Sequence, residues 1–475
     1  MAMRLPLLAL ALNLTFLAAE TVPAEVLVHL DQRGATLPAD FIGLSTEKKL
    51  MNRDCFQGQN QQLIALYRTL GTGVLRIGAN NVDSTAFKRE GFSPAETMLE
   101  NHYVTEPRTI GPASVDAFFE FARATGWKVI YGVNLGSKDP AMSADEADYA
   151  WKVGAKEILA VEIGNEPNLY PKSPTREGIR PGNWGYADYK AEFTAVADAI
   201  RAKNPQIPLT GPAVTKGTKW MPLFMADFKD RIVLATSHVY PLSAKQADPQ
   251  HQRFTSVEKL LGEKYPDDWI IKLHDAQAVG VPYRIDECNT ASDGGKRGVS
   301  DAFASTLWSI DFMFDVALAG GQGVNFHGSF TPNNYSAIVF EKKTRRYVPA
   351  PLYYGLLFFN RAAQGQLVDV TTKSDANFIA RGTVDKAGKL RLVLLNKDLN
   401  KTVNVHLPLG EKFSQAHAWR LVAPSVSATS GVTFAGAEVD ATGNWAPKTI
   451  ETIPVADHQV NLSVPATSAV LLILE

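Results

Sequence analysis

Cysteine is almost absent from this chain, and the two that occur, Cys55 and Cys288, allow one disulfide at most. A secreted chain of 475 residues does not depend on a single bridge for its fold, so we predict no disulfide. An excess of one charge is also missing, because 48 lysines and arginines stand against 49 aspartates and glutamates. Nucleic-acid binding needs a broad basic field, and this balance therefore argues against a nucleic-acid partner.

Long apolar runs are missing beyond the N-terminus. Residues 1–19 place one arginine before an apolar stretch that ends in small residues, a pattern typical of a secretory signal peptide cleaved near Ala19. A buried N-terminal helix is the alternative. This stretch is short for a membrane span, and no other part of the chain offers about 18 uninterrupted apolar residues. We therefore expect a secreted or periplasmic protein without a membrane span.

Metal-ligand spacing is missing as well. The nine histidines include no pair at H-x-x-x-H spacing. We therefore predict no metal and no other cofactor. His238 and His327 stand at predicted strand ends, and we interpret them as hydrogen-bonding residues of a site rather than as metal ligands.

The sequence does contain a long alternation of short apolar, β-branched runs with helical patterns. Eight strand candidates begin at residues 40, 73, 128, 158, 208, 232, 282 and 320. The clearest helix between them runs from a cap at Ser114 to a stop at Gly126. Eight such units in about 290 residues predict the α/β class and a (β/α)8 TIM barrel. An open doubly wound sheet is the alternative, and the absence of a glycine-rich phosphate loop after the first strand weakens it.

The pattern changes near residue 365. From there, alternating strands with turn signals replace the helical periodicity, which predicts a C-terminal antiparallel β-sandwich. The predicted organisation is a signal peptide (1–19), an N-terminal strand that pairs with the sandwich (20–39), the barrel (40–364) and the sandwich (365–475).

Two glutamates stand at predicted strand ends. Glu166 precedes a proline, which should take it out of helical geometry and end the fourth strand, and Glu287 ends the seventh. A closed barrel would bring both to its C-terminal rim, where barrel enzymes keep their active sites. Two facing carboxylates can cleave a glycosidic bond: one protonates the leaving oxygen, and the other attacks the anomeric carbon or activates water. A single glutamate at a strand end is most often an ordinary surface or ion-paired residue, so the pairing favours catalysis.

Several motifs together resemble glycoside hydrolase family 79, the β-glucuronidase and heparanase family. They are "GLSTE", "VLRIGAN", "IGNEPN", "SHVY", "DECNTASDGGKRGVSD" and "GVNFHG", and the likeness runs from about residue 40 to residue 360. Their order and spacing carry it, since Asn-Glu-Pro is shared across a larger clan of barrel glycosidases. The resemblance implies a retaining (β/α)8-barrel glycosidase with Glu166 as general acid/base and Glu287 as nucleophile.

The resemblance also implies contacts near the catalytic pair. Asn165 would hydrogen-bond the sugar 2-hydroxyl, with capping of its turn as the alternative role. Tyr240 would donate its hydroxyl to Glu287 and keep it ionised, with a place in the core as the alternative. Glu47 would contact the sugar hydroxyls.

A glucuronide differs from a glucoside by one carboxylate, which the site must recognise. By the same resemblance, the backbone amides of Gly294 and Gly295 would bind this anion together with Tyr335. Two features depart from the family pattern. Cys288 follows the nucleophile where we expect a small polar residue, and "NTASDGG" contains no aromatic to stack on the sugar. These departures put the exact substituent on the sugar in doubt.

The implied function is a secreted, retaining, exo-acting β-glucuronidase that removes terminal glucuronic acid, with or without a 4-O-methyl group, from a glycan or glucuronide, and that acts as a monomer. An endo-acting heparanase-like enzyme or a neutral-sugar β-glycosidase is the first alternative. A non-catalytic carbohydrate-binding protein is the second, and the presence of both glutamates argues against it. An endo enzyme acting on sulfated chains should cluster cations along its cleft. The predicted rim cations are instead scattered along the chain: Lys48, Lys49, Lys172, Arg176, Arg180, Lys296 and Arg297.

Overall fold

The computed structural model of the chain describes residues 20–56, 60–90, 108–171, 179–262, 268–330 and 334–475. The predicted signal peptide lies outside these residues. Within them, no helix has both the length and the apolar character that crossing a membrane requires.

The strands and helices alternate through most of the chain, and strands alone follow. The strands as far as residue 349 are β1 (Thr21–Thr36), β2 (Ile42–Glu47), β3 (Val74–Gly78), β4 (Thr85–Phe87), β5 (Arg108–Ile110), β6 (Lys128–Val133), β7 (Ile158–Ile163), β8 (Leu209–Val214), β9 (Leu234–Val239), β10 (Leu242–Ser243), β11 (Tyr283–Cys288), β12 (Ala291–Ser292), β13 (Val324–His327), β14 (Ile338–Glu341) and β15 (Arg346–Pro349). The helices are α1 (Gln61–Leu70), α2 (Pro112–Thr125), α3 (Pro140–Gly154), α4 (Tyr186–Lys203), α5 (Trp220–Phe228), α6 (Val257–Leu261), α7 (Asp268–Gln277), α8 (Phe303–Leu318) and α9 (Pro351–Ala362). The remaining strands are β16 (Gln366–Ser374), β17 (Phe378–Val384), β18 (Leu390–Asn396), β19 (Thr402–Pro408), β20 (Ala416–Val422), β21 (Thr433–Phe434), β22 (Glu451–Ile453), β23 (Gln459–Val464) and β24 (Ser468–Leu474).

Eight parallel strands close into a barrel. Their order around it is β2, β3, β6, β7, β8, β9, β11 and β13, and β13 pairs back to β2. These are the eight strand candidates of the sequence, so the predicted TIM barrel is confirmed and the open-sheet alternative is wrong. Every residue of β3 and β8 is buried. This burial on both faces explains why the strands appear in the sequence as continuous apolar runs rather than as alternating patterns.

Helix α2 begins three residues earlier than predicted. Gly111 is its N-cap, and Pro112 occupies the first helical position, where a missing N–H costs nothing. Ser114 lies inside the first turn, with its hydroxyl 3.5 Å from the Gly111 amide, so its assignment as the cap is wrong. Gly126 ends the helix in the left-handed conformation, with φ of 77°, as predicted.

The C-terminal strands and β1 form one ten-stranded sheet that curls around its own hydrophobic core, which confirms the predicted sandwich. Nine strands follow the order β21, β20, β24, β18, β17, β16, β1, β19 and β23, and β22 pairs with β20. Buried and outward-facing residues alternate along β19 and β23, as expected for strands with one face on a core. Strand β1 is antiparallel to β16 but parallel to β19, so the sheet is mixed at this point.

Candidate active site

A pocket of about 570 Å³ lies at the C-terminal ends of the barrel strands. Both predicted catalytic glutamates line it, together with His238, Tyr240 and Tyr335. This is the end of the barrel at which the residues that follow parallel strands converge.

Glu166 lies three residues beyond the end of β7 rather than at the strand tip. Its backbone is left-handed, with φ of 47° and ψ of 50°, whereas a residue before proline is expected to be extended. The Glu166 amide donates to the Ala213 carbonyl at 3.0 Å, and the Glu166 carbonyl accepts from the Leu169 amide at 2.9 Å. A non-glycine residue adopts this conformation only where its surroundings impose it. The backbone therefore fixes the direction of this carboxylate.

Glu287 lies within β11, one residue before its end. Arg76 Nη1 donates to its Oε2 at 2.7 Å, and the Tyr240 hydroxyl donates to its Oε1 at 2.8 Å. Burial alone would raise the pKa of Glu287. The charges of His327, His238 and Arg76 and the hydrogen bond from Tyr240 act in the opposite direction. Together they hold the pKa of Glu287 below the ordinary carboxyl value. This carboxylate is therefore kept ionised.

His238 lies between the two glutamates. Its Nδ1 is 2.9 Å from Glu166 Oε1 and 4.0 Å from Glu287 Oε1. One oxygen of each carboxylate lies within 4.8 Å of the other. Retaining glycosidases place their carboxyl groups about 5–5.5 Å apart and inverting enzymes about 6.5–9.5 Å apart. The spacing here falls on the short side of that division.

Two carboxylates and an imidazole this close together also suit a metal ion. However, the Arg76 guanidinium lies 2.7 Å from Glu287 and would repel a cation there. Tyr240 occupies the other oxygen of the same carboxylate as a donor. The donor set therefore fits a carboxylate held for chemistry better than a metal ligand.

Arg76 also contacts two further buried carboxyl groups, those of Glu162 and Asp286. Its Nε is 2.8 Å from Glu162 Oε2 on β7 and 3.1 Å from Asp286 Oδ2 on β11, and all three side chains are fully buried. Burial and the Glu162 charge raise the pKa of Asp286 well above its ordinary value. Burial also opposes ionisation of Glu162, but the Arg76 charge and hydrogen bond, the hydrogen bond from Asp286 and the His238 charge together outweigh burial and lower the pKa of Glu162. We therefore assign a proton to Asp286 and a charge to Glu162.

This cluster was not predicted from the sequence. Its signal is a charged residue within each of three apolar strands, in "VLRIG", "LAVEI" and "YRIDE". A charge in a strand that is buried on both faces must point either into the barrel or against a helix, and it needs a partner there.

Three predicted sugar contacts are not among the residues that line the pocket. Among the described residues, the pocket wall does not include Glu47, Asn165 or Gly295. Asn165 Oδ1 accepts from Arg76 Nη2 at 2.7 Å, and Glu47 Oε2 accepts from the Asn81 amide at 2.9 Å. Their roles toward a sugar stay predictions.

The predicted anion-binding residues lie together. Asp293, Gly294 and Gly295 are consecutive left-handed residues, with φ of 64°, 85° and 74°. The amides of the two glycines have no hydrogen-bond partner in the part of the chain that the structure describes. The Asn334 amide donates to the Gly294 carbonyl at 3.2 Å, which places Tyr335 beside this turn. A Cβ on Gly295 would lie 3.0 Å from Tyr335 Cδ1, so the glycine permits the close approach.

Two of the predicted rim cations are buried instead. Lys48 Nζ is 2.6 Å from Glu146 Oε1 inside the protein, and Arg180 Nη2 is 2.5 Å from Glu192 Oε2. Lys172 and Arg176 lie outside the described residues. The interpretation of Lys48 and Arg180 as rim cations is therefore wrong, because each neutralises a carboxylate of the fold.

Comparison with known proteins finds a family match for the C-terminal domain and similar proteins for the chain. Residues 382–471 match the C-terminal beta domain of glycosyl hydrolase family 79. A β-glucuronidase from Aspergillus niger is 27% identical over 313 residues, which are 59% of this chain and 55% of the fungal protein. Heparanase-like protein 3 from Arabidopsis thaliana is 25% identical over 326 residues, 64% of this chain and 57% of the plant protein. These matches support the resemblance of the chain to glycoside hydrolase family 79. The chain spans little more than half the length of these two curated relatives.

Solved structures share the fold over nearly the whole chain. A 4-O-α-L-rhamnosyl-β-D-glucuronidase from Fusarium oxysporum has a TM-score of 0.77 at 19% identity, covering 96% of this chain and 100% of that one. A family 51 arabinofuranosidase from Xanthomonas axonopodis has a TM-score of 0.65 at 13% identity, with coverage of 96% and 100%. At these identities the likeness shows the barrel and the appended sheet. The resemblance of the sequence to family 79 is confirmed.

Proposed function

We propose that this chain is a secreted, retaining, exo-acting β-glucuronidase that hydrolyses terminal β-linked glucuronic acid. The observation that carries the proposal is the short separation of Glu166 and Glu287, with one oxygen of each carboxylate within 4.8 Å of the other in a pocket at the barrel rim. This spacing supports double displacement with retention. The names of the Aspergillus and Fusarium relatives support a glucuronyl unit as the sugar.

The first chemical step uses the two glutamates in different protonation states. An oxygen of Glu287 forms a bond to the anomeric carbon while the bond from that carbon to the leaving oxygen breaks. Glu166 gives its proton to the departing oxygen, so the aglycone leaves as a neutral alcohol. Arg76 and Tyr240 support this step by keeping Glu287 ionised before attack.

The second step reverses these roles. Glu166, now a carboxylate, takes a proton from a water molecule as the water oxygen attacks the anomeric carbon. The ester bond to Glu287 breaks, and Glu287 leaves as a carboxylate. His238 Nδ1, 2.9 Å from Glu166, can accept a hydrogen bond when Glu166 is protonated and donate one when it is ionised.

The left-handed turn at residues 293–295 supports recognition of the uronate. Consecutive amides that point to one side form a nest for an anion. We assign the sugar carboxylate to the amides of Gly294 and Gly295 and to the Tyr335 hydroxyl. No aromatic stands in residues 289–295, so we propose that the pocket accepts a 4-O-substituted glucuronyl unit, such as the 4-O-methyl form.

The burial of Lys48 and Arg180 supports exo action on a terminal unit, because it removes two of the cations that a cleft for a sulfated chain would need. The loops after β9 and β11, which both contribute residues to the pocket wall, are also joined by the β10–β12 pairing. An endo-acting enzyme is the second candidate. Sizing the products released from a uronic-acid polysaccharide separates the two, since single glucuronyl units indicate exo action and longer fragments indicate endo action.

The sugar is tested with aryl β-glucuronide, β-glucoside and β-galactoside compared side by side. We expect the glucuronide to be preferred, and preference for a neutral sugar would refute the assignment. Glu287→Gln should abolish turnover while substrate binding is kept. Glu166→Ala should regain activity with azide on an aryl glucuronide and yield the β-glycosyl azide, whereas an α-product by NMR would contradict retention.

A further inference from the structure

Arg253 is a cation of the pocket wall without a carboxylate partner among the described residues. Arg253 lines the pocket from the segment between β10 and α6. In the described part of the chain, no carboxylate oxygen lies within 4.0 Å of its guanidinium. Its Nη2 donates to the carbonyls of Tyr240 at 2.8 Å and Leu242 at 3.2 Å. Its Nε is enclosed by protein and finds no acceptor among the described residues.

Lys245, a neighbouring cation of the pocket wall, is neutralised. Lys245 Nζ lies 2.9 Å from Asp293 Oδ1. Just behind the wall, Lys296 Nζ lies 4.3 Å from the centre of the Phe254 ring and donates to the Thr255 carbonyl at 3.0 Å, without a carboxylate. Arg253 and Lys296 are therefore two neighbouring cations without a carboxylate within 4.0 Å among the described residues. A pair of such charges attracts an anion.

Arg253 is fixed close to the predicted anion-binding turn. The Ser243 amide donates to the Arg253 carbonyl at 2.9 Å, and the Ser243 hydroxyl donates to Asp293 Oδ2 at 3.2 Å. The residue after Asp293 is Gly294, which also lines the pocket. One short segment, β10, thus joins the guanidinium to the turn of residues 293–295.

We propose that Arg253 is a specificity-determining residue that binds a carboxylate of the acidic substrate. A guanidinium has more donors than the two carbonyls use, and its planar fork matches a carboxylate. The carboxylate belongs either to the glucuronyl unit itself or to a uronic acid next to it. This inference rests on the proposed function, because it requires an acidic glycan.

The test compares two ligands that differ in one charge, an aryl β-glucuronide and its methyl ester. Binding is measured by calorimetry in Glu287→Gln protein, with and without Arg253→Gln. We expect Arg253→Gln to weaken binding of the acid about tenfold or more and to leave the ester within about threefold, as for loss of one charge-assisted hydrogen bond. Arg253→Lys should restore part of the affinity, because it keeps the charge but not the fork.

A second ligand pair locates the carboxylate. If the aryl glucuronide is insensitive to Arg253→Gln but a glucuronide with a uronic acid in its aglycone loses affinity, the contact is to the neighbouring sugar. If neither acid loses affinity, or if the acid and the ester weaken equally, Arg253 only holds the loop and the inference is wrong. Lys259→Gln is the matched control, since Lys259 Nζ donates to the His251 carbonyl at 2.6 Å and lies off the pocket wall. Failure of wild-type protein to hydrolyse any glucuronide would instead refute the proposed function.

Discussion

Replacing Arg76 by methionine should destabilise the protein strongly, because this one cation lies against three buried carboxylates. Its guanidinium lies 2.7 Å from Glu287, 2.7 Å from Glu162 and 3.1 Å from Asp286, and the Arg76 side chain is 0% exposed. Removing one partner of a buried ion pair costs about 3–5 kcal/mol. We expect Arg76→Met to lose about that much free energy of unfolding, a large part of the roughly 5–15 kcal/mol that stabilises most proteins.

A second substitution separates this charge effect from simple loss of packing. In Arg76→Met the Glu162 carboxylate is left buried beside Asp286 without its cation. Adding Glu162→Gln removes the orphaned charge, so the double variant should recover about 1–3 kcal/mol relative to Arg76→Met alone. Urea unfolding followed by circular dichroism and by tryptophan fluorescence measures both variants, and agreement of the two signals checks that the transition is cooperative.

Arg284 provides the matched control for this experiment. It is also buried in a barrel strand, but its guanidinium donates to the Asn325 side chain and to the carbonyls of Phe41 and Ile42. Arg284→Met should therefore be destabilising without rescue by Glu162→Gln. Rescue of both arginine variants, or of neither, would refute the assignment of Arg76 as the neutralising charge.

The same variant has a pH signature at Glu287. The lowered folded-state pKa of Glu287 contributes stability that is present above the unfolded value of about 4.3 and is lost as pH falls. Without Arg76 the folded pKa of Glu287 rises and this contribution shrinks. The stability difference between wild type and Arg76→Met should therefore be larger at pH 7 than at pH 3.

Three further predictions concern single residues. Tyr240→Phe removes the 2.8 Å hydrogen bond to Glu287 and should lower kcat about 10- to 100-fold. Because the pKa of Glu287 rises, the acidic limb of the pH–rate profile should move to higher pH, and an unchanged acidic limb would contradict this prediction. Gly295→Ala places a Cβ 2.8 Å from Ser300 Cβ at φ of 74° and should raise KM for a glucuronide more than Gly298→Ala, which meets open space at φ of 77°. Partial burial and the neighbouring Asp311 carboxylate raise the pKa of Asp315 to about 6. The resulting destabilisation builds up as pH rises from the unfolded value of about 3.9 to about 6, so Asp315→Asn should stabilise the protein at pH 7.5 but not at pH 4. Because the Asp315 side chain is 49% exposed, the gain should not exceed about 1 kcal/mol, measured by urea unfolding.

The barrel could be predicted from the sequence because its strands bury both faces. Runs such as "KVIYGV" are almost continuously apolar, whereas strands with one exposed face alternate apolar and polar residues. Helices with a clear apolar face separate these runs. The start of α2 was harder. Serine is the stronger capping residue when position is ignored. The helix instead begins at Gly111 and Pro112, because a proline at the first helical position has no N–H that would be left unpaired there.

The positions of the two proposed catalytic glutamates at the barrel rim could be predicted, but the residues that hold them could not. The position of Glu287 follows from β11, near whose end it lies. The left-handed backbone of Glu166 instead depends on a hydrogen bond to Ala213, which lies 47 residues later in the sequence. Such a contact leaves no local pattern in the sequence. The partners of Arg76 are equally remote, since Glu162 and Asp286 come from other strands. Charges in buried strands signal that partners exist, but only the closed barrel shows which ones they are.

The two glutamates are held in ways that match the different demands of their proposed roles. A nucleophile must be ionised at the start of each cycle, and Glu287 sits inside a strand where a permanent cation, Arg76, and a hydroxyl donor, Tyr240, both favour its charge. An acid/base must change protonation twice in each cycle, and Glu166 lies outside the strand, beside an imidazole nitrogen that can either donate or accept. His238 and Tyr240 should therefore each affect a different limb of the pH–rate profile. His238→Gln, which keeps an amide near Glu166, should alter the basic limb of the pH–rate profile, where the acid loses its proton, while Tyr240→Phe alters the acidic limb. If His238→Gln moved only the acidic limb, His238 would act on Glu287, 4.0 Å away, rather than on Glu166.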